Sequence, residues 1–362
     1  MILLRSGRSR AGGGARVATA VVVGIVLLVG LAGPASANPG DTDYVRPTRQ
    51  QDMLDLPPMP GAGGVAATAT GRSRYALSFV AIPVRGLRLG FSKRGIRALT
   101  KRVDGRVTSQ TAARFGFGMT SYRTAPATTT RRLSCNLDTV HRRYSRYARH
   151  LDDPPPGYRD TIAVYLTPLR FRCQYAGVAL LGGDAVYLNG LDLRDPQRLQ
   201  DWITAHELGH TLGLEHSAAF WPARPGWQWD DAVPRDARLQ GWADYGDYLD
   251  LMGKPARDGY ELTGARFGMW TFNSWSLTTL GVLQRPNITF ARKDGTYTIS
   301  ALAPDPSAGR MVVAVPAVAD GRATYWLLEY RPPESNTASV NYPPPFSVRG
   351  YGVRLMLAPR GL

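Results

Sequence analysis

The chain has 362 residues, a formal charge of +16, five histidines and two cysteines. The positive charge favours acidic surfaces, but no nucleic-acid-binding module or base-stacking motif accompanies it, so nucleic acid is not an expected partner. Two cysteines in a chain of this length exclude a disulfide-dense scaffold.

The first 37 residues read as an export leader. Arginines at 5, 8, 10 and 16 precede an apolar run from Val17 to Leu31, and Ala35-Ser36-Ala37 forms a small-residue cleavage site. A cleaved signal peptide over 1–37 makes the protein secreted. The alternative is an uncleaved anchor that leaves the rest outside the membrane, although the apolar run is short for spanning. Loss of the four leader arginines reduces the formal +16 to +12. Anionic cell-envelope polymers are the natural partner of an exported chain with that charge. Export also gives Cys135 and Cys173 an oxidising compartment, so they are expected to pair. Closing that loop contributes on the order of 4 kcal/mol in the chain-entropy description.

Residues 38–73 are rich in Pro, Gly, Ala and Thr and show no sustained periodicity, which predicts a flexible spacer or short pro-segment. No cysteine lies there that could block a metal. From residue 74 the pattern changes. Tyr75 to Val84 is β-rich, Ser92 is placed to cap a helix with Ile96, Leu99 and Val103 on one face, and Phe115 to Tyr122 predicts a second strand. A helix comes next, from Asn136 to about His150, burying Leu137, Val140, Tyr144 and Leu151. Its other face carries Arg142, Arg143, Arg146 and Arg149, read as a solvated basic surface. His141 and His150 lack metal-ligand spacing and read as structural. Pro154-Pro155-Pro156 ends that helix. Thr161 to Leu166 reads as a strand, and Val178–Leu181 with Ala185–Leu188 as a hairpin turning at Gly182-Gly183-Asp184.

The next segment carries the chemistry. Residues 206–216 read His-Glu-Leu-Gly-His-Thr-Leu-Gly-Leu-Glu-His. Residues four apart share one helical face, so His206 and His210 can present two imidazoles to one ion. Glu207, between them, is placed to accept a proton from an attacking water rather than to ligate. On a straight helix His216 would lie about 9 Å beyond His210, at about 1.5 Å per residue, and on another face. Gly213 removes that obstacle, because a glycine tolerates the left-handed conformation that ends a helix and lets the chain return His216 to the metal. Three histidines leave one coordination position open, as in catalytic rather than structural zinc sites. The plain alternative makes the histidines ordinary helix residues, Glu207 a solvated charge and Gly213 a simple helix end; an eleven-residue pattern makes such a coincidence rare.

This motif resembles that of the metzincin metalloendopeptidases, whose second signature is a methionine turn downstream. Tyr245-Gly246-Asp247-Tyr248-Leu249-Asp250-Leu251-Met252-Gly253 supplies a candidate, and Phe272-Asn273-Ser274-Trp275 through Leu280-Gly281 is similar to the helix after the turn in the gametolysin-like branch. The resemblance covers about residues 75–283 in organisation. It implies His206, His210 and His216 as zinc ligands, Glu207 as base and Met252 as the methionine of the turn. Some metzincins place a tyrosine two residues after that methionine; here Lys254 stands there, and transition-state stabilisation beyond zinc is unassigned.

Between His216 and Met252, Trp221, Trp227, Trp229 and Trp242 are half the chain's tryptophans and read as the core of an irregular lower subdomain, or as a cleft wall. The acids Asp230, Asp231, Asp244, Asp247 and Asp250 match no calcium-loop spacing. Past Gln284-Arg285-Pro286-Asn287 the chain reads as short strands, among them Ile288–Phe290, Tyr297–Ile299, Tyr325–Tyr330 and Gly352–Leu357. Asn287-Ile288-Thr289 fits a glycosylation sequon.

The expected architecture is α+β: a metzincin-like catalytic domain over 74–283, with a twisted mixed sheet, an active-site helix and an irregular lower subdomain, then a small all-β sandwich-like module over 284–362. The expected activity is zinc-dependent hydrolysis of protein or peptide substrates. The competing readings are a non-catalytic envelope-binding or adhesion protein that retains the fold, and a zinc hydrolase of a non-peptide envelope bond. A zinc peptidase using a distant glutamate such as Glu261 as third ligand is disfavoured by the spacing of His216.

Overall fold

Alternating apolar residues make a five-stranded sheet the centre of the molecule. In this computed structural model the described residues are 3–5, 21–24, 72–168, 173, 175–190, 199–217, 219–221, 241–243, 250–253, 271–291, 295–302, 309–319, 322–331, 340–341, 347–348 and 352–357. The Ala35-Ser36-Ala37 site, the spacer up to residue 71, the segment 222–240 with Trp227 and Trp229, Lys254 and Glu261 lie outside them.

The N-terminal segment contributes β1 (Leu3–Arg5) and β2 (Val21–Gly24). The central sheet is built from β3 (Ser73–Ala81), β4 (Phe115–Thr124), β5 (Asp160–Leu166), β6 (Gly177–Ala179) and β7 (Ala185–Leu188), with α1 (Lys93–Gln110), α2 (Leu137–Tyr144) and α3 (Leu199–Thr211) between or after them. The strand order is β4-β3-β5-β7-β6. The first four strands run parallel, and among the described residues β6 is an antiparallel edge paired with β7 alone.

Period-two alternation sends side chains to two cores. Tyr75, Leu77, Phe79, Ile162, Val164, Leu166, Val186 and Leu188 pack with α1 and α3, whereas Val80, Ile82, Ala163, Tyr165, Ala185 and Tyr187 pack with α2. A sheet covered on both faces explains the nearly continuous apolar strands β5 and β7. Ser92 caps α1 by accepting from the Gly95 amide, and Ile96, Leu99, Val103 and Val107 are its buried stripe. Across the two helices Arg102 donates twice to Asp201, at 2.7 Å each, docking α1 on the first turn of α3.

The helix expected from Asn136 to about His150 is shorter. It ends at Tyr144, and a 3-10 turn covers Ser145–Tyr147. The cause is a sheet contact: Ser78 Oγ of β3 accepts from the Arg149 amide at 2.7 Å, drawing the backbone off the helical path. The Cys135 and Cys173 sulfurs are joined in a disulfide beside α2. His141 Nδ1 lies 3.0 Å from Tyr165 Oη in the core, and His150 is exposed.

Beyond α3 come β8 (Ala219–Trp221), β9 (Gly241–Ala243) and α4 (Ser274–Thr279). The C-terminal strands are β10 (Ile288–Phe290), β11 (Thr296–Ile299), β12 (Val312–Ala319), β13 (Arg322–Arg331), β14 (Val340–Asn341), β15 (Ser347–Val348) and β16 (Gly352–Leu357). Four of them form one sheet in the order β10-β12-β13-β16. One face, with Val312, Ala314 and Leu327, joins the core that holds α3 and α4; the other packs Val313, Val315 and Leu328 on Ile299 of β11. β11 in turn pairs with β2. Asn287 of the sequon is 2% exposed and its amide donates to the Gly309 carbonyl, so the folded chain does not present it for glycosylation. Among the described residues no helix is long and apolar enough to cross a membrane.

Candidate metal centre

α3 brings His206, Glu207 and His210 onto the rim of the first core, and the way it ends places the third histidine. Gly213 has φ +87°, the Leu214 amide donates to the Gly209 carbonyl at 3.1 Å, and the Gly213 amide to the His210 carbonyl at 2.9 Å. These two bonds are a Schellman motif with glycine at its left-handed position. The chain reverses there, and His216 returns to the other two histidines. Ring centroids are 4.6 Å apart for His210 and His216 and 5.4 Å for His206 and His216. The candidate ligand atoms of all three lie within 4.8 Å of one another, and among the described residues this is the one such group.

Backbone carbonyls orient two of the rings. His206 Nδ1 lies 2.9 Å from the Leu251 carbonyl and His210 Nδ1 lies 2.7 Å from the Leu214 carbonyl. A carbonyl only accepts, so each Nδ1 carries the proton and each Nε2 of a neutral ring presents a lone pair. Those two Nε2 atoms are 3.2 Å apart. Tetrahedral zinc with Zn–N bonds of about 2.0–2.1 Å requires ligand nitrogens roughly 3.3 Å apart. Burial and the neighbouring histidines hold His206 well below the ordinary imidazole range, which keeps it in the neutral, ligating form. Lone pairs converging at this spacing fit a bound cation and are mutually repulsive without one.

Glu207 is 7% exposed, and desolvation pushes its carboxyl up to about 8 in the metal-free chain. It faces the edge strand. A Cβ added at Gly177 of β6 would collide with the Glu207 carboxylate, so the strand approaches that carboxylate at a residue with no side chain. The β6–β7 turn is tied to the helix end as well, through the Gly182 amide and the His210 carbonyl at 2.8 Å.

Met252 is fully buried against α3, where a Cβ at Gly209 would overlap its sulfur. The turn that holds it is organised by Asp250. This carboxylate, 1% exposed, accepts from Ser217 Oγ at 2.6 Å, from the Met252 amide at 2.7 Å and from the Asn273 amide. The Ser217 amide donates to the Met252 carbonyl at 2.9 Å, joining the residue after His216 to the turn. Glu329 Oε2 of β13 accepts from the Ser274 amide at 2.7 Å, while Arg331 bonds Glu329 Oε1 at 2.7 Å and the Phe272 carbonyl at 3.1 Å.

The three histidines that the motif marks as ligands therefore meet in one place, with Glu207 on the same helix, Gly213 just past its end and Met252 packed on Gly209, although the Leu251–His206 bond joins residues 45 apart in the chain. Nothing in the sequence pattern marks Gly177, Leu251 or Leu214 for these roles, and Asp250 stands there only among acids that match no calcium-loop spacing. Two of these contacts are made by backbone carbonyls, which no side-chain pattern announces. Gly209, inside the motif, was the legible one, since an interior helix glycine asks for a packing reason.

No family model matches the chain, and no curated protein matches it. Among solved structures it is similar to the crystal structure of an archaemetzincin from Methanopyrus kandleri, at 15% identity and a TM-score of 0.31, over 59% of this chain and 97% of that one. It is also similar to a structure described as a chaperone–substrate complex, at 20% identity and a TM-score of 0.26, over 40% of this chain and 24% of that one. The chain thus spans about a quarter of the second protein's length. At these scores neither likeness bears on function, which rests on the site itself.

Proposed function

We propose that the protein is a secreted, zinc-dependent endopeptidase of the metzincin type, with Glu207 as its general base. The observation that carries this reading is the group of three imidazoles whose ligand atoms lie within 4.8 Å of one another, with the buried Glu207 on the helix that carries two of them. All-imidazole ligation with a position left open suits catalytic zinc. Zinc bound there supplies a Lewis acid for the scissile carbonyl and lowers the pKa of the attacking water.

The remaining steps belong to the chain's own residues. Glu207, buried on the same helix as two of the imidazoles and held as a carboxylate by the bound cation, takes the proton of the attacking water and delivers it to the leaving amine. His206 and His210, held by the Leu251 and Leu214 carbonyls, keep their Nε2 atoms directed at one point without reorganisation. The antiparallel edge strand β6 offers an extended peptide a backbone partner, so the substrate is recognised by strand addition alongside residues 177–179. A disulfide between Cys135 and Cys173 supports an oxidising, extracellular setting.

The test is Glu207→Gln. The variant is expected to bind zinc as the unmodified protein does while its turnover of an unfolded protein substrate falls by about 10² to 10⁴. Undiminished peptidase activity in that variant, or none in a zinc-loaded unmodified protein, overturns the reading.

A further inference from the structure

We propose that the arginine-lined cavity on the sheet face opposite α3 is a binding site for a phosphorylated polyol or sugar unit. The cavity has a volume of about 300 Å³ and lies where the segments after β3 and β4 meet the end of α2. Exposed Arg85, Arg132, Arg143 and Arg146 form its mouth, and Thr128 and Tyr144, 6% and 4% exposed, are buried against its floor.

Two independent observations point to a ligand. The first is uncompensated charge. No carboxylate among the described residues forms an ion pair with any of these four arginines, whereas Arg102 and Arg74 have Asp201 and Asp104. Their contacts orient them without neutralising them. Arg143 donates to the Arg132 carbonyl at 2.7 Å and lies 5.5 Å over the Tyr144 ring, and Arg146 lies 5.0 Å over Tyr147. Guanidinium groups arranged around one cavity raise its positive potential and match the paired oxygens of a phosphate.

The second observation is on the floor. Tyr144 Oη and Thr128 Oγ1 are buried with no hydrogen-bond partner among the described residues, against the rule that buried hydroxyls are satisfied. Both belong to residues lining the cavity but neither oxygen is open to solvent, so a ligand engages them by displacing the side chains that cover them. The two observations together select the chemistry. Arginines at the mouth take the phosphate, and the floor hydroxyls bond to the hydroxyl groups of the same ligand. The volume is at the lower bound of small-molecule sites, about 300 Å³, which is generous for a bare phosphate and right for one phosphorylated unit. That unit is either a soluble phosphate ester or one repeat of an anionic polymer. The site lies across the sheet from the histidines and does not depend on their chemistry.

Calorimetric titration of the full chain with glycerol 3-phosphate, inorganic phosphate and a poly(glycerol phosphate) oligomer tests this, with acetate and glycerol as controls. Glycerol 3-phosphate is expected to bind more tightly than inorganic phosphate, and neither control to bind. R143A/R146A should weaken binding by about tenfold, a loss of about 1.4 kcal/mol, and Tyr144→Phe by about threefold, with zinc content and peptidase activity unchanged. Tyr144→Phe removes only the unpartnered hydroxyl and serves if the double variant does not fold. An oligomer that binds more tightly per unit than glycerol 3-phosphate identifies a polymer as the source, and equal affinity identifies a soluble ester. Absence of ester binding, or undiminished binding by the folded variants, overturns the proposal.

Discussion

Two imidazole lone pairs 3.2 Å apart, each fixed by a carbonyl behind its ring, make the metal-free centre sensitive to protons. His206 has a folded pKa below its unfolded value, so the unfolded chain binds a proton that the native chain refuses, and stability is lost as pH falls through the ordinary imidazole range. Glu207 acts in the opposite sense. Its folded pKa of about 8 lies above the unfolded value of 4.5, so its contribution is full below pH 4.5 and is lost as pH rises toward 8. A bound cation reverses that second loss by favouring the carboxylate, and it competes with protons for the imidazoles. The gap in Tm between zinc-loaded and metal-free protein should therefore widen from pH 5 to pH 8. A gap that is flat in pH across thermal unfolding scans argues against ligation by these histidines.

At the scale of elements, the end of α3 does more for the centre than its middle. Interior i, i+4 spacing presents two histidines, but only the reversal at Gly213 returns the third. Gly213→Ala forces a side chain into the left-handed region at about 1 to 2 kcal/mol. Nothing lies within 4 Å of the new Cβ, so the effect is conformational rather than steric. The variant should bind zinc more weakly by about tenfold or more in chelator competition, with α3 intact by circular dichroism. Unaltered zinc affinity would mean that His216 does not depend on the turn. The edge strand and the helix show the same economy: Gly177 of β6 and Gly209 of α3 each leave room for one side chain, Glu207 and Met252 respectively.

Across the whole molecule, β13 is bound into the floor of the centre. Glu329 and Arg331 are 0% and 2% exposed, and they hold the backbone around Phe272 and Ser274, next to Asn273, whose amide bonds Asp250. A buried pair is weak evidence for stability, yet removing one partner leaves a buried charge at a cost of about 3–5 kcal/mol. Arg331→Met is expected to lose that much in urea unfolding, and to release zinc in the same transition that unfolds the tail. Zinc release in a separate transition from loss of the C-terminal sheet would show that β13 is not coupled to the centre. Glu329→Gln in addition should restore part of the loss, since it removes the stranded charge.

Strand and helix positions from residue 73 to 211 were legible because alternation and helical stripes repeat within a few residues: Ser92 caps α1, and β5 and β7 fall where β-rich runs occur. The end of α2 was not, because a serine on β3, 71 residues away in the chain, captures the Arg149 amide. Likewise the face read as a solvated row of arginines divides, with Arg143 and Arg146 joining Arg85 and Arg132 around a cavity. By itself the sequence determined the chemistry on offer, two imidazoles and a carboxyl on one helix with a glycine where the chain must turn, since each depends on neighbours within one or two turns. Tertiary structure alone decided which carbonyls orient the rings, which glycines make room for Glu207 and Met252, and which charges gather around one cavity. Those contacts join residues brought together by sheet order and packing, and no local periodicity encodes them.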